Sequence, residues 1–194
     1  RVNDDYGHAA GDSVLIQLSQ LLRSIARADD HLLRWGGEEF LIVLKRVQPE
    51  QALETAERIR TKIAAHTFQL GDGRELRVTG SIGLAMHPPA PELRAQSGWT
   101  LTLELADAAL YRVKQWGRNG SAGLVGGPAL STVKLSAKSL LQLDALVDAG
   151  ALRWLRPAGA TPLRLGRQGT DAPGFVVEPG PWRAGHVPAI PAWP

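Results

Sequence analysis

A chain of 194 residues without cysteine can bury one good core and a small appendage. It can form neither disulfides nor thiolate metal sites, which fits a reducing compartment. Its net charge of +3 is unevenly placed: residues 1–122 hold fifteen Lys and Arg against fifteen Asp and Glu, and residues 123–194 hold seven against four. The basic excess therefore belongs to the C-terminal part, and the front part carries no electrostatic signature of nucleic-acid binding. No window reaches the apolar length of a membrane span, and no signal peptide is visible, so no membrane contact is expected in this segment.

In chain order, the first predicted helix is capped by Asp12 or Ser13, with Val14, Leu15, Leu18, Leu22 and Ile25 at helical spacing. Leu32–Trp35 and Phe40–Leu44 read as the two arms of a hairpin around Gly36 and Gly37. Pro49 opens a second helix, with Ala52, Leu53, Ala56, Ile59 and Ile63 on one face. Arg74–Met86 reads as strand, and Pro88, Pro89 and Pro91 force a loop. A third helix runs from about Leu101 to Trp116 and stops at Gly117. A short strand, Ala122–Val125, is expected to close the sheet. The alternation predicts an α/β sandwich with helices packed on a sheet.

After Gly126 the composition changes, with nine of thirteen prolines beyond Gly123. A basic, Pro/Gly-rich extension over 126–194 is expected to carry one helix (Lys134–Val147) and a short hairpin joining Leu152–Leu155 to Leu163–Leu165. From Gly166 onward it reads as disordered.

The hairpin turn is the most informative local feature. Glycine tolerates positive φ and offers a bare backbone that a ligand can approach closely. Adjacent carboxylates at Glu38 and Glu39 are unfavourable in a plain strand, and suit a divalent cation carrying a phosphate; solvated acids on an ordinary hairpin are the bland reading. Lys114 and Arg118 at a helix end either complement its dipole or grip an anion. Asp12 reads as an N-cap and Asn3 as an Asx turn. His8 in the same stretch is structural or a ligand contact. Arg27 and Asp30 read as a local ion pair.

Taken in order, Asn3-Asp4-Asp5-Tyr6-Gly7-His8-Ala9-Ala10-Gly11-Asp12, Gly36-Gly37-Glu38-Glu39-Phe40, Ser81-Ile82-Gly83, Ala106-Asp107-Ala108-Ala109-Leu110-Tyr111 and Gly117-Arg118-Asn119 resemble the GGDEF domain of diguanylate cyclases over residues 1 to about 122. The resemblance implies a palm-like, nucleotidyl-cyclase fold with a central, mostly antiparallel sheet, occupying residues 1–125. It implies condensation of two GTP into cyclic di-GMP across a homodimer, with Mg²⁺ (or Mn²⁺) as cofactor, in the cytoplasm. By the same match Glu38 is a metal ligand, Glu39 helps activate the 3′-hydroxyl or holds a second metal, and Asn3 and Asp12 read the guanine edge. His8 and Gly37 lie beside GTP, and Lys114 and Arg118 reach the triphosphate. Arg27 and Asp30 match the product-inhibition site, Asp107 is structural and Tyr111 packs in the core. The family's first strand, with a further Asp ligand, precedes the position of Arg1. These 194 residues alone are therefore expected to be inactive, the missing strand being supplied by the residues before Arg1. The rival reading is a degenerate domain that senses GTP or cyclic di-GMP without turnover.

Overall fold

A computed structural model of the chain describes residues 2–89, 98–133 and 135–158. The described residues belong to one compact unit ending at Ala160. Two helices open it, α1 (Val2–Tyr6) and α2 (His8–Ile25), joined at Gly7 with φ 84°. Because α2 starts at His8, Asp12 and Ser13 lie inside the helix rather than at its cap. Ser13 instead donates its hydroxyl to the Gln69 carbonyl (2.9 Å).

Strands β1 (His31–Gly36) and β2 (Glu39–Val43) form the expected antiparallel hairpin. Helix α3 (Pro49–Ala65) follows, closed at its N-terminus by a reciprocal Gln48–Gln51 capping box. The stretch read as one strand from Arg74 to Met86 is divided. Glu75–Leu76 (β4) pairs with Phe68–Gln69 (β3), and Ile82–Ala85 (β5) joins another sheet. Val78 packs against helix residues instead of extending a ladder.

Helix α4 (Trp99–Gln115) leads to β6 (Ser121–Gly126), which runs parallel to β5. Beyond β6 come a 3-10 turn at Leu130–Thr132, two short helices, α5 (Ala137–Leu140) and α6 (Leu143–Asp148), and strand β7 (Leu152–Leu155). The single helix expected over Lys134–Val147 is thus two pieces. β7 pairs antiparallel with β6, Leu124 facing Trp154 in the register, so β6 is the middle strand of its sheet rather than its closing one. Leu163–Leu165, the partner expected for this strand, and the segment from Gly166 lie outside the described residues.

The architecture is α/β, with its strands in three hydrogen-bonded sheets: β1–β2, β3–β4 and the mixed β5–β6–β7. Alternation along β6 shows why two helical layers cover the last. Leu124 packs with Leu105 and Ala109 of α4, whereas Val125 packs with Leu53 of α3. Gly83 lets β5 lie against α4, since a Cβ there would collide with the Ala106 carbonyl and Leu110. The core around α4 is completed by Leu130, Leu143, Leu146 and Leu152. Residues after Gly126, expected to form a separate extension, therefore build part of the same core. A second cluster, Leu22, Ile25, Ile59 and Ile63, holds α2 against α3 with Leu32, Phe40 and Ile42 of the hairpin packed on it.

Candidate active site

The glycine bend presents its acids to solvent. Gly37 has φ 51°, which explains the glycine, and a Cβ built at Gly36 or Gly37 would meet nothing within 4 Å. The space above this backbone is open to a ligand. Arg34 fixes the bend from beneath, donating Nε and Nη2 to the Gly37 carbonyl at 3.1 and 2.9 Å. Sequence reasoning passed over this arginine, although its place three residues before the turn was visible. Register places Glu39 opposite Gly36, while Glu38 sits in the turn.

Helix α4 delivers the cation. Lys114 Nζ lies 3.5 Å from Glu39 Oε1, with both side chains about half exposed. Asp107, seven residues earlier on α4, completes a small charged group. Surrounding protein withdraws water from its carboxyl and the Glu39 carboxylate repels its charge, so its pKa is raised, with Lys114 opposing. Tyr111, expected in the core, is 51% exposed, because the buried face of α4 is formed by Leu105, Ala109 and Val113.

Arg118 follows Gly117 (φ 111°) and itself takes φ 64°. It lines a cavity with Arg60 and Arg156 on the α3 side of α4. Asn3 of α1 packs against Gly11 of α2 so closely that a Cβ on Gly11 would strike its amide. This places Asn3 beside the turn of helix bearing exposed Asp12, with His8 at the helix start. Asp30 is 4% exposed and accepts the Arg27 amide (2.9 Å) on one oxygen and the Lys45 amide (3.1 Å) on the other. Arg27 and Asp30 are thus joined through the backbone, with the Arg27 side chain left at the surface.

Oxygen donors at the bend, Glu38 and Glu39, suit a hard divalent cation, which retains several waters and takes further oxygens from a phosphate. Among the described residues no group of three or more His, Asp or Glu converges on one point, so the chain's contribution would be these two carboxylates. Both carboxylates are exposed beside a backbone with open space over it, and the residues present fit the ion on that ground.

A glycine bend with paired acids, a lysine from a facing helix and an α/β sandwich define the palm-like nucleotidyl-cyclase class. The chain belongs to the family "Diguanylate cyclase, GGDEF domain", whose model matches residues 1–120. It is 36% identical over 118 residues to diguanylate cyclase DosC of Escherichia coli, covering 61% of this chain and 24% of DosC. It is 39% identical over the same length to diguanylate cyclase A of Treponema denticola, covering 30% of that protein. The chain thus spans about a quarter to a third of these relatives. Among solved structures, a variant of Pseudomonas aeruginosa YfiN comprising only the GGDEF domain matches with TM-score 0.57 at 29% identity, covering 73% of this chain and 74% of that one. The GGDEF domain of DgcB from Caulobacter crescentus, in complex with c-di-GMP, matches with TM-score 0.55 at 29% identity over 62% and 68%. No helix among the described residues is long and apolar enough to cross a membrane.

Proposed function

We propose that this domain acts as a diguanylate cyclase, joining two GTP into cyclic di-GMP with release of two pyrophosphates, each half of a homodimer presenting one GTP. The observation that supports this most is the meeting of Glu39 at the open glycine bend with Lys114 from α4, 3.5 Å apart. The acids at this bend would hold Mg²⁺ or Mn²⁺, which when bound would neutralise triphosphate charge and polarise the α-phosphate.

The bare Gly36–Gly37 backbone lets the triphosphate lie across the turn, and Arg34 keeps the bend rigid beneath it. Lys114 would draw phosphate charge toward α4. In the reaction the 3′-oxygen of one GTP bonds to the α-phosphorus of the other and pyrophosphate leaves; Glu39 would take the hydroxyl proton. A second identical step closes the ring. Catalysis of this kind is positioning and charge complementarity, so the chain needs few groups in direct chemistry. Asn3 and Asp12 would read the guanine edge, since a carboxylate accepts from adjacent N–H donors that adenine lacks. Arg27, with its exposed guanidinium, would provide the product-inhibition contact, while Asp30 shapes the loop beneath it.

The test is cyclic di-GMP formation from GTP and Mg²⁺ by the full-length protein and its Glu38→Ala variant. Product from the former and none from the latter supports the cyclase. Guanine-nucleotide binding without product in either would make the domain a sensor, and no binding by either would discard both readings.

A further inference from the structure

Arg112, Lys114 and Trp116, at the end of α4, face two different parts of the chain. Arg112 Nη2 donates to Asp144 Oδ2 of α6 at 2.6 Å, and the Trp116 ring meets that of Trp154 of β7 edge-to-face at 5.1 Å. Lys114, between them, reaches Glu39 at the glycine bend. We propose that Asp144 and Trp154, which lie beyond residue 120 where the family match ends, are positioning residues. They clamp the last turn of α4 so that Lys114 is presented to the bend and to a triphosphate lying across it.

Helix geometry separates the two faces. The Trp116 amide donates to the Arg112 carbonyl at 2.9 Å, so the helical turn runs on through the C-cap. Residues four apart then share a face, and a residue midway between them is turned about 200° from each. The segment after β6 therefore holds α4 at two points one turn apart, on the side away from Lys114. Two anchors restrain both roll and tilt of the helix end, where one would leave it a pivot.

Both anchors are themselves held. Leu143 and Leu146 put α6 into the core with Leu105 and Ala109 of α4, which leaves Asp144 beside Arg112. Trp154 stands opposite Leu124 in the β6–β7 ladder and packs on the same core. Across the helix, the Lys114–Glu39 contact is long, 3.5 Å, with both side chains about half exposed. A contact at that limit is lost by a small rotation of α4. The Arg112–Asp144 pair is partly exposed as well, and such pairs add little to stability. Its consequence is the direction of the helix end.

The kinetic arm of the test rests on the cyclase reading; the spectroscopic arm does not. In the full-length protein with GTP and Mg²⁺, Asp144→Ala and Arg112→Ala should each raise KM for GTP about three- to tenfold. Asp144→Glu should restore most of the loss, and thermal melting of Asp144→Ala should stay near that of the unsubstituted protein. Adding Asp144→Ala to Lys114→Gln should raise KM no further, since both changes act through one contact. The second arm follows the dimethylammonium NMR signal of Lys114 in reductively methylated protein, assigned by its disappearance in Lys114→Arg. Glu39→Gln should move that signal, and Asp144→Ala and Trp154→Ala should move it the same way. If Trp154→Ala does not fold, Asp144→Ala decides, since its side chain is partly at the surface. An unmoved Lys114 signal in Asp144→Ala overturns the proposal, as does an unchanged KM or a KM rise fully additive with that of Lys114→Gln. Should the unsubstituted protein make no cyclic di-GMP, the cyclase reading fails and the Lys114 signal alone decides this one.

Discussion

Glu39 stands where two influences meet, drawn toward Lys114 and repelled by Asp107. Its neighbour Glu38 has neither contact and projects from the turn, so Glu38→Ala should lower cyclic di-GMP formation by about a hundredfold or more while far-ultraviolet circular dichroism stays unchanged. Asp107 gives a pH-dependent counterpart. Its folded pKa is raised above 3.8, so the fold disfavours its charged form. The penalty is absent at low pH and grows as pH rises past the unfolded value and through the folded one. Asp107→Asn should therefore raise the urea midpoint at pH 7 and have no such effect near pH 3, read by equilibrium unfolding. The bend was legible from its residue types alone, because paired glycines and acids have few other uses. Tyr111 was not: a helix face is decided by the neighbour it packs on, and Tyr111 falls outside the arc of Leu105, Ala109 and Val113.

The contact between β5 and α4 depends on one missing side chain. Gly83→Ala would drive a methyl into the Ala106 carbonyl and the Leu110 backbone, and should cost about 1–3 kcal/mol or more by urea titration. Loss of product in that variant would follow from displacement of Lys114 and Asp107. The helices were readable from apolar spacing, since periodicity is local. Strands from residue 74 to 86 were read as one, because the sequence shows extended character but not the partner. Residues 77–81 have no ladder in the structure. The same limit applies to Leu152–Leu155: its strand character was plain, its true partner β6 was not, since a neighbouring apolar run satisfied the pattern equally well.

At the level of the whole molecule, the segment after Gly126 contributes Leu130, Leu143, Leu146 and Leu152 to the core over α4, and Asp144 pairs with Arg112 at 2.6 Å. The compositional break at Gly126 suggested a separate appendage; composition registers prolines and glycines but not which leucines are buried. Leu152→Ala should therefore destabilise the whole unit by about 2–5 kcal/mol, with a single transition by fluorescence and circular dichroism. An independent appendage would leave the main transition in place. Acid should also act globally through Glu57, whose carboxylate ties α3 to the start of β6. The Arg60 hydrogen bonds hold its pKa below 4.5, helped by Ser121 and opposed by burial. The stabilisation it gives is complete above the unfolded value and is lost as pH falls through the lowered folded one. Glu57→Gln should flatten that acid limb of the stability profile.

One consequence of β7 concerns solubility. A strand on the rim of a sheet exposes amide and carbonyl groups that invite foreign strands, and among the described residues β7 occupies that rim along β6. The new rim is short, carries exposed Arg153, and is followed by Pro157, which has no amide hydrogen to offer. Shortening the polypeptide before β7 would thus uncover a sticky ribbon, and self-association through that ribbon would be the first symptom seen in light scattering.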